Sequence, residues 1–330
     1  MPERVGSGAE PEFPPEEAEA THSPAPATEP LFERLALIGL GLIGSSIARA
    51  ARELGLARAI VAIDRDPAVL ARVAELGLAD ETAADAAAGV AGADHVILCV
   101  PVGAYGAVAA TIAGALEPGT IVSDVGSVKS AVLAAMAPHL PPGVHLVPAH
   151  PVAGTEHSGP DAGFAALFRD RWCILTPPEG ADPAAVERVR AFWTAMGSNV
   201  ETMTAAHHDL VLAITSHVPH LIAYNIVGTA ADLETVTQSE VIKFSAGGFR
   251  DFTRIAASDP TMWRDVFLNN KEAVLEMLGR FNEDIAALAR AIRWGDGDAL
   301  FDLFTRTREI RRGIISVGQE TPEPDFGRRR

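Results

Sequence analysis

The stretch that decides the fold runs from Leu35 to Asp64 and reads LALIGLGLIGSSIARAARELGLARAIVAID. Its first residues form an apolar run that leads into GLGLIG at 39–44, and a segment with helical periodicity follows. A second apolar run, over 59–63, ends on Asp64. This order of strand, turn, helix and second strand is the context in which the pattern GxGxxG predicts a dinucleotide-binding site.

Each glycine of this turn has a separate expected role. Gly39 permits the tight turn out of the strand, Gly41 leaves room for a pyrophosphate, and Gly44 lets the helix approach the sheet. The free N–H groups at the helix N-terminus then face the phosphates, and Asp64 accepts hydrogen bonds from a ribose diol. The alternative is an ordinary glycine-rich turn between a strand and a helix. The residues expected to contact the dinucleotide are Gly39, Gly41, Leu42, Ile43, Gly44, Asp64, Val100, Pro101 and Asp124.

Asp64 also bears on the choice of dinucleotide. Its carboxylate would repel the 2′-phosphate of NADP, so we expect NAD as the cofactor. Arg65 beside it could accommodate that phosphate, and NADP is therefore the less expected alternative.

The composition excludes several classes of protein. The 330 residues suffice for two domains of about 150 residues each, and the net charge of −16 argues against a nucleic-acid partner. Residues 1–30 hold seven prolines and seven Glu against one Arg, so 1–32 is expected to be a disordered leader. No apolar run approaches the roughly 18 residues of a membrane span. Cys99 and Cys173 fall in apolar runs, so we expect free, buried thiols and a cytoplasmic location.

The chain changes character near residue 205. Strand-like and helical segments alternate over 33–204, which predicts an α/β domain of Rossmann type with a doubly wound, mostly parallel sheet. Over 205–318 the patterns are helical only, and their apolar faces predict an all-α domain that packs against a second copy of the chain or encloses a large core of its own. The expected segments there are a long helix over 205–231 interrupted at Pro219, a glycine-containing loop over 246–254, a helix over 261–292, a final helix over 297–315, and a solvated tail over 319–330.

Polar residues follow three of the predicted strands at their carboxyl ends, where ligands of open α/β sheets bind. They are Asp124 with Ser127 shortly after it, the residues around Pro101, and His150. A histidine that faces a nicotinamide is a natural base for the proton of an alcohol, because its usual pKa near 6.5 suits neutral pH. The alternatives are a loop histidine that caps a turn and, for Ser127, the N-cap of a helix beginning near Lys129.

A further polar cluster, TSHVPH at 215–220, lies in the helical half, and the sequence HHD at 207–209 precedes it. Pro219 would interrupt the helix there and turn Ser216 and His220 toward a cavity. His217 and His220 have the i, i+3 spacing of metal ligands. No carboxylate with supporting spacing lies nearby, so no metal is expected.

The last cluster, GGFRDFTR at 247–254, carries two arginines. Arg250 and Arg254 suit a bidentate grip on a carboxylate, and the alternative is a surface ion pair of one of them with Asp251. The Tyr-x-x-x-Lys pair of short-chain dehydrogenases does not occur, because alanine and glycine stand four residues after Tyr105 and Tyr224.

Four motifs follow one another along the chain: DVGSVK (124–129), HPVAGTEHSG (150–159), TSHVPH (215–220) and GGFRDFTRIAASDPTMW (247–263). Together they resemble the motifs of the prephenate/arogenate dehydrogenases, also called cyclohexadienyl dehydrogenases. The resemblance implies an NAD-dependent oxidative decarboxylation of prephenate to 4-hydroxyphenylpyruvate, or of arogenate to tyrosine. It also implies an intertwined homodimer formed through the helical domain. The sequence does not decide between the two substrates.

The resemblance implies roles for individual residues as well. His150 resembles the catalytic histidine that takes the proton of the ring hydroxyl, and Ser127 the serine that helps to orient that hydroxyl and the nicotinamide. Arg254 resembles the arginine that holds a substrate carboxylate. The other residues expected at the substrate are the pair Ser216 and His220 on the long helix, Thr155, Glu156 at the entrance, Arg250, which stands where some members carry lysine, and Trp263.

Two other functions stay open at this point. Another hydroxyacid dehydrogenase with a helical second domain would share the nucleotide-binding half, but it would not need both the TSHVPH and FRDFTR clusters. A catalytically silent dinucleotide-binding protein would have little reason to hold His150, Ser127, His220 and Arg254 together.

Overall fold

The computed structural model describes residues 29–155, 157–232 and 246–316, and its N-terminal half is built around a six-stranded parallel sheet. The strands lie in the order β3-β2-β1-β4-β5-β6, which is the strand order of dinucleotide-binding folds. The expected α/β architecture of Rossmann type is therefore confirmed. The strands are β1 (Phe32–Ile38), β2 (Ala57–Ile63), β3 (Glu81–Ala83), β4 (His95–Leu98), β5 (Ile121–Asp124) and β6 (His145–Leu146).

Helices cover both faces of this sheet, because its central strands are apolar on both sides. Along β1, Leu35 and Leu37 point into one core with the helix that follows β1 and the helix over Pro183–Ala195, and Ala36 and Ile38 point into the other. The helices of this half are α1 (Leu42–Glu53), α2 (Pro67–Glu75), α3 (Ala86–Val90), α4 (Tyr105–Ile112), α5 (Ser130–Met136) and α6 (Pro183–Ala195).

The last strands of this half form a separate small sheet, which corrects the expectation of one continuous sheet. In it β7 (Ala149–Pro151) is antiparallel to β8 (Trp172–Leu175), and β8 is parallel to β9 (Asn199–Thr202). The carbonyl of Ala149 accepts a hydrogen bond from the ammonium of Lys129 instead of a bond from the main sheet. His150 therefore lies within a short strand and not in a loop after one.

The helical half begins where the side chain of Thr204 caps the first of its helices. Residues 247–253, expected to lie in a loop, form a helix whose glycines occupy the first turn, and 254–257 continue as a 3-10 turn. The expected single helix over 261–292 is two helices separated at Asn270, whose side chain bonds to other residues. The helices are α7 (Ala205–Leu212), α8 (Val218–Asp232), α9 (Gly247–Thr253), α10 (Pro260–Asn269), α11 (Lys271–Trp294) and α12 (Gly297–Ser316), with a π-helical turn (Ala213–His217) between α7 and α8.

The expected termini fall largely outside the described residues. The tail over 319–330 lies outside them entirely, as do the first 28 residues of the expected leader. Phe32, the last residue assigned to that leader, is the first residue of β1 and is buried.

One continuous helical stretch, Ala205–Asp232, is long and apolar enough to cross a membrane by length and composition alone. This corrects the expectation that no segment comes near that length. The stretch also carries His208, Asp209 and His217, all buried inside the subunit. Core helices that cross no membrane have the same length and composition.

Large apolar side chains are exposed along α10, α11 and α12, which is unusual for helices of this length. Among the described residues, the buried members of the core that α11 shares with the long helix are Ala213, Val218, Val274 and Met277. Trp294 is 74% exposed and Phe301 is 71% exposed. The others are Met262, Leu268, Leu275, Ile285, Ile292, Phe304 and Ile310.

Candidate active site

The glycine turn after β1 distinguishes two kinds of glycine. Gly39 has φ of +95°, and a Cβ there would lie 2.5 Å from the carbonyl oxygen of Cys99. A Cβ on Gly44 would lie 2.0 Å from the carbonyl oxygen of Gly39, so the fold itself requires both glycines. A Cβ on Gly41 would meet no described atom within 4 Å, and its backbone is extended. The open space at Gly41 fits the close approach of a pyrophosphate.

The N-terminus of α1 is free to bind an anion. Gly41 is its N-cap residue, no described side chain caps its first N–H groups, and its first turn carries no acidic residue. These N–H groups, which belong to Leu42, Ile43 and Gly44, therefore remain available together with the positive end of the helix dipole. The residues present thus fit the phosphates of a dinucleotide.

Asp64 lies at the end of β2, beside this turn. One of its carboxylate oxygens accepts a hydrogen bond of 3.0 Å from the N–H of Leu40, and the other accepts one of 3.0 Å from the N–H of Asp66. These bonds fix the carboxylate next to the glycine turn while it stays partly exposed. Arg65, beside it, is exposed.

The residues at the carboxyl ends of β4 and β5 differ in the exposure of their side chains at this edge of the sheet. Val100 is partly exposed and Pro101 is exposed, whereas the side chain of Asp124 is wholly buried. Asp124 forms an ion pair with Lys129, which is also wholly buried. Burial raises the pKa of Asp124 and lowers that of Lys129, and their mutual attraction opposes both shifts. The Lys129 ammonium also donates a hydrogen bond to the carbonyl of Ala149, the residue before His150. The ion pair therefore supports this edge of the sheet from its buried side.

His150 is 8% exposed and is the first member of a hydrogen-bonded chain. Its Nδ1 lies 2.8 Å from Nε2 of His208, and Nδ1 of His208 lies 2.9 Å from Oδ1 of Asp209. The carboxylate of Asp209 also accepts hydrogen bonds from the backbone N–H groups of Lys129 and Ser130. Asp209, and not Ser127, therefore caps α5, and this contact joins the helical half to the sheet.

Burial determines the protonation states of the three hydrogen-bonded side chains, His150, His208 and Asp209. Desolvation lowers the pKa of His150 well below its usual value, and repulsion from the protonated form of His208 and from Lys129 lowers it further. Desolvation also lowers the pKa of His208, although the hydrogen bond to Asp209 opposes that shift. Burial alone would raise the pKa of Asp209, but the hydrogen bonds from His208 and the α5 N-terminus bring it below its usual value. At neutral pH the carboxylate is ionised and both imidazoles are neutral.

The long helix is irregular where the TSHVPH cluster lies. Pro219 has no N–H to donate to the carbonyl four residues before it, and the helix forms a π-turn over Ala213–His217 there. Nδ1 of His220 lies 2.8 Å from the carbonyl oxygen of Ser216, and the His220 ring stacks on Trp263 with 3.6 Å between ring centroids. Because Trp263 is only 6% exposed, it supports His220 from beneath.

His217 is held by Asn270, whose side-chain amide lies 3.0 Å from Nδ1 of His217 and donates to the carbonyl of Asp209. Burial lowers the pKa of His217 to about 4, and the backbone of Ser127 acts in the opposite direction. Ser127 therefore lies beside this cluster, and its side chain is partly exposed. Within the described ranges no group of three or more His, Cys, Asp or Glu residues is arranged to hold a metal ion.

The arginines of the last cluster lie on α9 and at its end. Burial lowers the pKa of His220, and the hydrogen bond with the backbone of Ser216 opposes that shift. The positive charge of Arg254 lowers the pKa further, so Arg254 and His220 are neighbours. Arg250 lies one turn earlier and is exposed. Thr155 is exposed, with its hydroxyl accepting a hydrogen bond from the N–H of His157. Glu156, expected at the entrance, lies outside the described residues.

Three residues of this network were not expected from the sequence to lie in the site: His208, Asp209 and Asn270. The sequence HHD at 207–209 offered a signal, since a carboxylate beside two histidines in an apolar helix is unusual. Asn270 carried no signal, because a lone asparagine between two helical segments is an ordinary boundary residue.

Both halves of the chain match known protein families. Residues 47–202 match the nucleotide-binding domain of prephenate dehydrogenase, and residues 204–306 match the prephenate dehydrogenase dimerization domain. The chain belongs to the prephenate dehydrogenase family.

Relatives within this family cover most of the chain. A cyclohexadienyl dehydrogenase of Zymomonas mobilis is 43% identical over 284 residues, which are 86% of this chain and 97% of the relative. The crystal structure of A. aeolicus prephenate dehydrogenase in complex with hydroxyphenyl propionate and NAD+ has a TM-score of 0.80 at 32% identity, over 86% of this chain and 98% of that one. The Synechocystis arogenate dehydrogenase structure has a TM-score of 0.72 at 26% identity, over 85% of this chain and 99% of that one.

Proposed function

We infer that this protein is an NAD-dependent dehydrogenase that oxidatively decarboxylates prephenate, arogenate or both, in the biosynthesis of tyrosine. The observation that carries this inference is the position of a buried, neutral histidine, His150, in a strand that follows the nucleotide-binding sheet. The family relationship and the cyclohexadienyl dehydrogenase relative support it. Neither a silent dinucleotide-binding protein nor an unrelated hydroxyacid dehydrogenase accounts for both matched halves.

The chemistry asks the protein for one proton acceptor and for accurate positioning. Nε2 of His150 takes the proton of the C4 hydroxyl of the substrate. Bound NAD+ supplies the acceptor for the hydride from C4, and loss of the ring carboxylate as CO2 yields the aromatic ring. Gly41 and the N-terminus of α1 would hold the pyrophosphate, and Asp64 would hold the adenosine ribose. We therefore propose NAD over NADP, with Arg65 as the residue that limits this preference.

We propose that the substrate lies between His150 and the side chains of the helical half. Arg254 would hold one carboxylate, and His220, on its stacking support Trp263, would face the same group. The other residues proposed to orient the substrate are Ser127, Ser216, Thr155, Glu156 and Arg250.

We propose that two copies of the chain form a homodimer through the helical domain. The exposed apolar side chains of α11 and α12, including Trp294 and Phe301, would be buried between the copies. Within this proposal the nucleotide-binding domain spans 33–204 and the helical domain 205–318, between a leader over 1–32 and a tail over 319–330. Because both cysteines are free thiols, a reducing cytoplasm is the compartment we propose.

The direct test is turnover by the purified full chain. NAD+ with prephenate, and separately with arogenate, should yield reduced nicotinamide together with CO2 and the matching aromatic product. His150→Asn should lower kcat by roughly 10²–10⁴, the usual contribution of a general base, with much less effect on substrate binding. No turnover with either substrate by a folded, NAD-binding protein would refute the proposed function.

A further inference from the structure

The base is connected to the helical half through two residues that the roles above do not use. His208 is 0% exposed and Asp209 is 5% exposed, and they form the chain His150–His208–Asp209 through bonds of 2.8 Å and 2.9 Å. The rings of His150 and His208 meet edge to face, with 5.0 Å between their centroids. Burying such a series of polar groups is costly unless the groups are hydrogen-bonded to one another.

Asp209, the last member of this hydrogen-bonded series, determines the position of every proton in it. An ionised carboxylate can only accept hydrogen bonds, and Asp209 already accepts two from the backbone of Lys129 and Ser130. Nδ1 of His208 must therefore donate to Asp209, which leaves Nε2 of the neutral ring as an acceptor. Nδ1 of His150 then donates to His208, so the lone pair of His150 lies on Nε2. That nitrogen has no hydrogen-bond partner among the described residues.

We propose that Asp209 and His208 are positioning residues for proton abstraction, and that they hold His150 in the single tautomer whose free Nε2 accepts the substrate proton. The proposal rests on the proposed function, which makes His150 the base. When Nε2 takes the proton of the hydroxyl, the O–H bond breaks and His150 becomes an imidazolium that keeps its Nδ1–H bond to His208. The arrangement extends the logic of a catalytic triad by one imidazole.

The position of the His208 imidazole between Asp209 and His150 also affects the pKa of His150. A carboxylate in direct contact with His150 would favour its charged form and raise its pKa. With His208 between them, Asp209 orients the base without contacting it, and burial keeps the base neutral. The titratable and charged groups that face His150 or His208 from the packed elements are His217, Lys129, Asp209 and Asp124.

A purely structural role for Asp209 predicts something different. As the cap of α5, Asp209 joins the two halves of the chain, so its loss would lower stability whatever its effect on His150. A structural contact would change neither the tautomer of His150 nor the pH profile of turnover. We therefore place the test at His208, which does not cap the helix.

The experiment compares His208→Leu and His208→Gln in the full chain with wild type and with His207→Leu. His207 is the matched control, because it is the neighbouring residue of α7 and is exposed. His208→Leu should lower kcat by roughly 10- to 100-fold, the usual cost of losing a group that fixes a histidine tautomer, with KM for both ligands changing far less. His208→Gln should recover part of this loss, because its side-chain oxygen can accept the bond from Nδ1 of His150. His207→Leu should match wild type.

Two readouts separate positioning from structure. Ring nitrogen NMR of the ligand-free wild type should place the proton of His150 on Nδ1, and His208→Leu should abolish this single tautomer. In His208→Gln the acidic limb of the kcat profile should move to higher pH, since a second imidazole that becomes protonated in acid no longer opposes protonation of His150.

Each outcome bears on the proposal. A folded His208→Leu with wild-type kcat and an unchanged pH profile would overturn it. If that variant does not fold, a wild-type His150 with its proton on Nε2 would overturn it equally. Failure of the wild type itself to turn over either substrate would instead refute the proposed function, while the tautomer measurement would still test the positioning.

Discussion

Gly41→Ala offers the sharpest separation of ligand binding from folding in this protein. The added Cβ would meet no described atom within 4 Å, and φ of −74° is accessible to alanine. The free energy of unfolding should therefore be unchanged or rise by about 0.4–1 kcal/mol, because alanine restricts the unfolded chain. The same methyl group would stand where the pyrophosphate must approach the backbone.

The loss of NAD+ affinity can be estimated from the contacts at stake. Moving the pyrophosphate off the N-terminus of α1 removes one charge-assisted hydrogen bond, worth about 1.5–3 kcal/mol. The Kd for NAD+ should therefore rise by roughly 10- to 100-fold. Gly44→Ala is the matched contrast, since its Cβ would lie 2.0 Å from the carbonyl oxygen of Gly39. Overpacking against backbone should destabilise that variant by about 1–3 kcal/mol or more.

The assay pairs calorimetric titration of NAD+ with urea unfolding of the same samples. Gly41→Ala should show weak binding with wild-type stability, and Gly44→Ala should show lowered stability. Wild-type NAD+ affinity in a folded Gly41→Ala variant would refute the reasoning, because the open space at this glycine would then serve no ligand.

Four further outcomes are expected. Arg254→Gln should raise KM for the substrate well over tenfold, about 2–3 kcal/mol for a charge-assisted pair, with NAD+ affinity unchanged in titration and only partial recovery in Arg254→Lys. Lys129→Met should cost about 3–5 kcal/mol in urea unfolding because it leaves Asp124 buried without its ion-pair partner, whereas adding Asp124→Asn should restore most of the loss. Stability should fall with acid, because the folded-state pKa of His217, about 4, lies below the unfolded value of 6.5. The stability that the neutral ring contributes is therefore fully present above the unfolded value and is lost as pH falls toward about 4, a loss of about 3 kcal/mol. Urea unfolding of wild type and of His217→Gln across this pH window would measure the loss. Sedimentation should find a dimer, and a folded, active monomer at working concentration would contradict the proposed interface.

The amino-acid sequence was sufficient to predict the nucleotide-binding half. The order of local sequence patterns is sufficient to predict this half. A strand, a glycine turn, a helix and an acid at the end of the next strand occupy one short stretch, 35–64, and each has a recognisable pattern of its own. The motifs also identified the family, since His150, Ser216, His220 and Arg254 lie in segments whose residue order is distinctive. Predictions failed where a segment could satisfy two local patterns, as at 246–254, where glycines suggested a loop and the chain forms a helix.

Only the tertiary structure decided which residues surround His150, the proposed base. The hydrogen bond between His150 and His208 spans 58 positions, and the bond of Asp209 to the N-terminus of α5 spans 80 positions, so neither contact leaves a periodic or local trace. The same is true of Lys129, whose complete burial against Asp124 has no local signal in the sequence. Hydrogen bonds between buried polar groups depend on three-dimensional proximity and not on spacing along the chain. The sequence therefore determined the kind of chemistry, and the packing of the long helix against the sheet determined how the proposed proton acceptor is held.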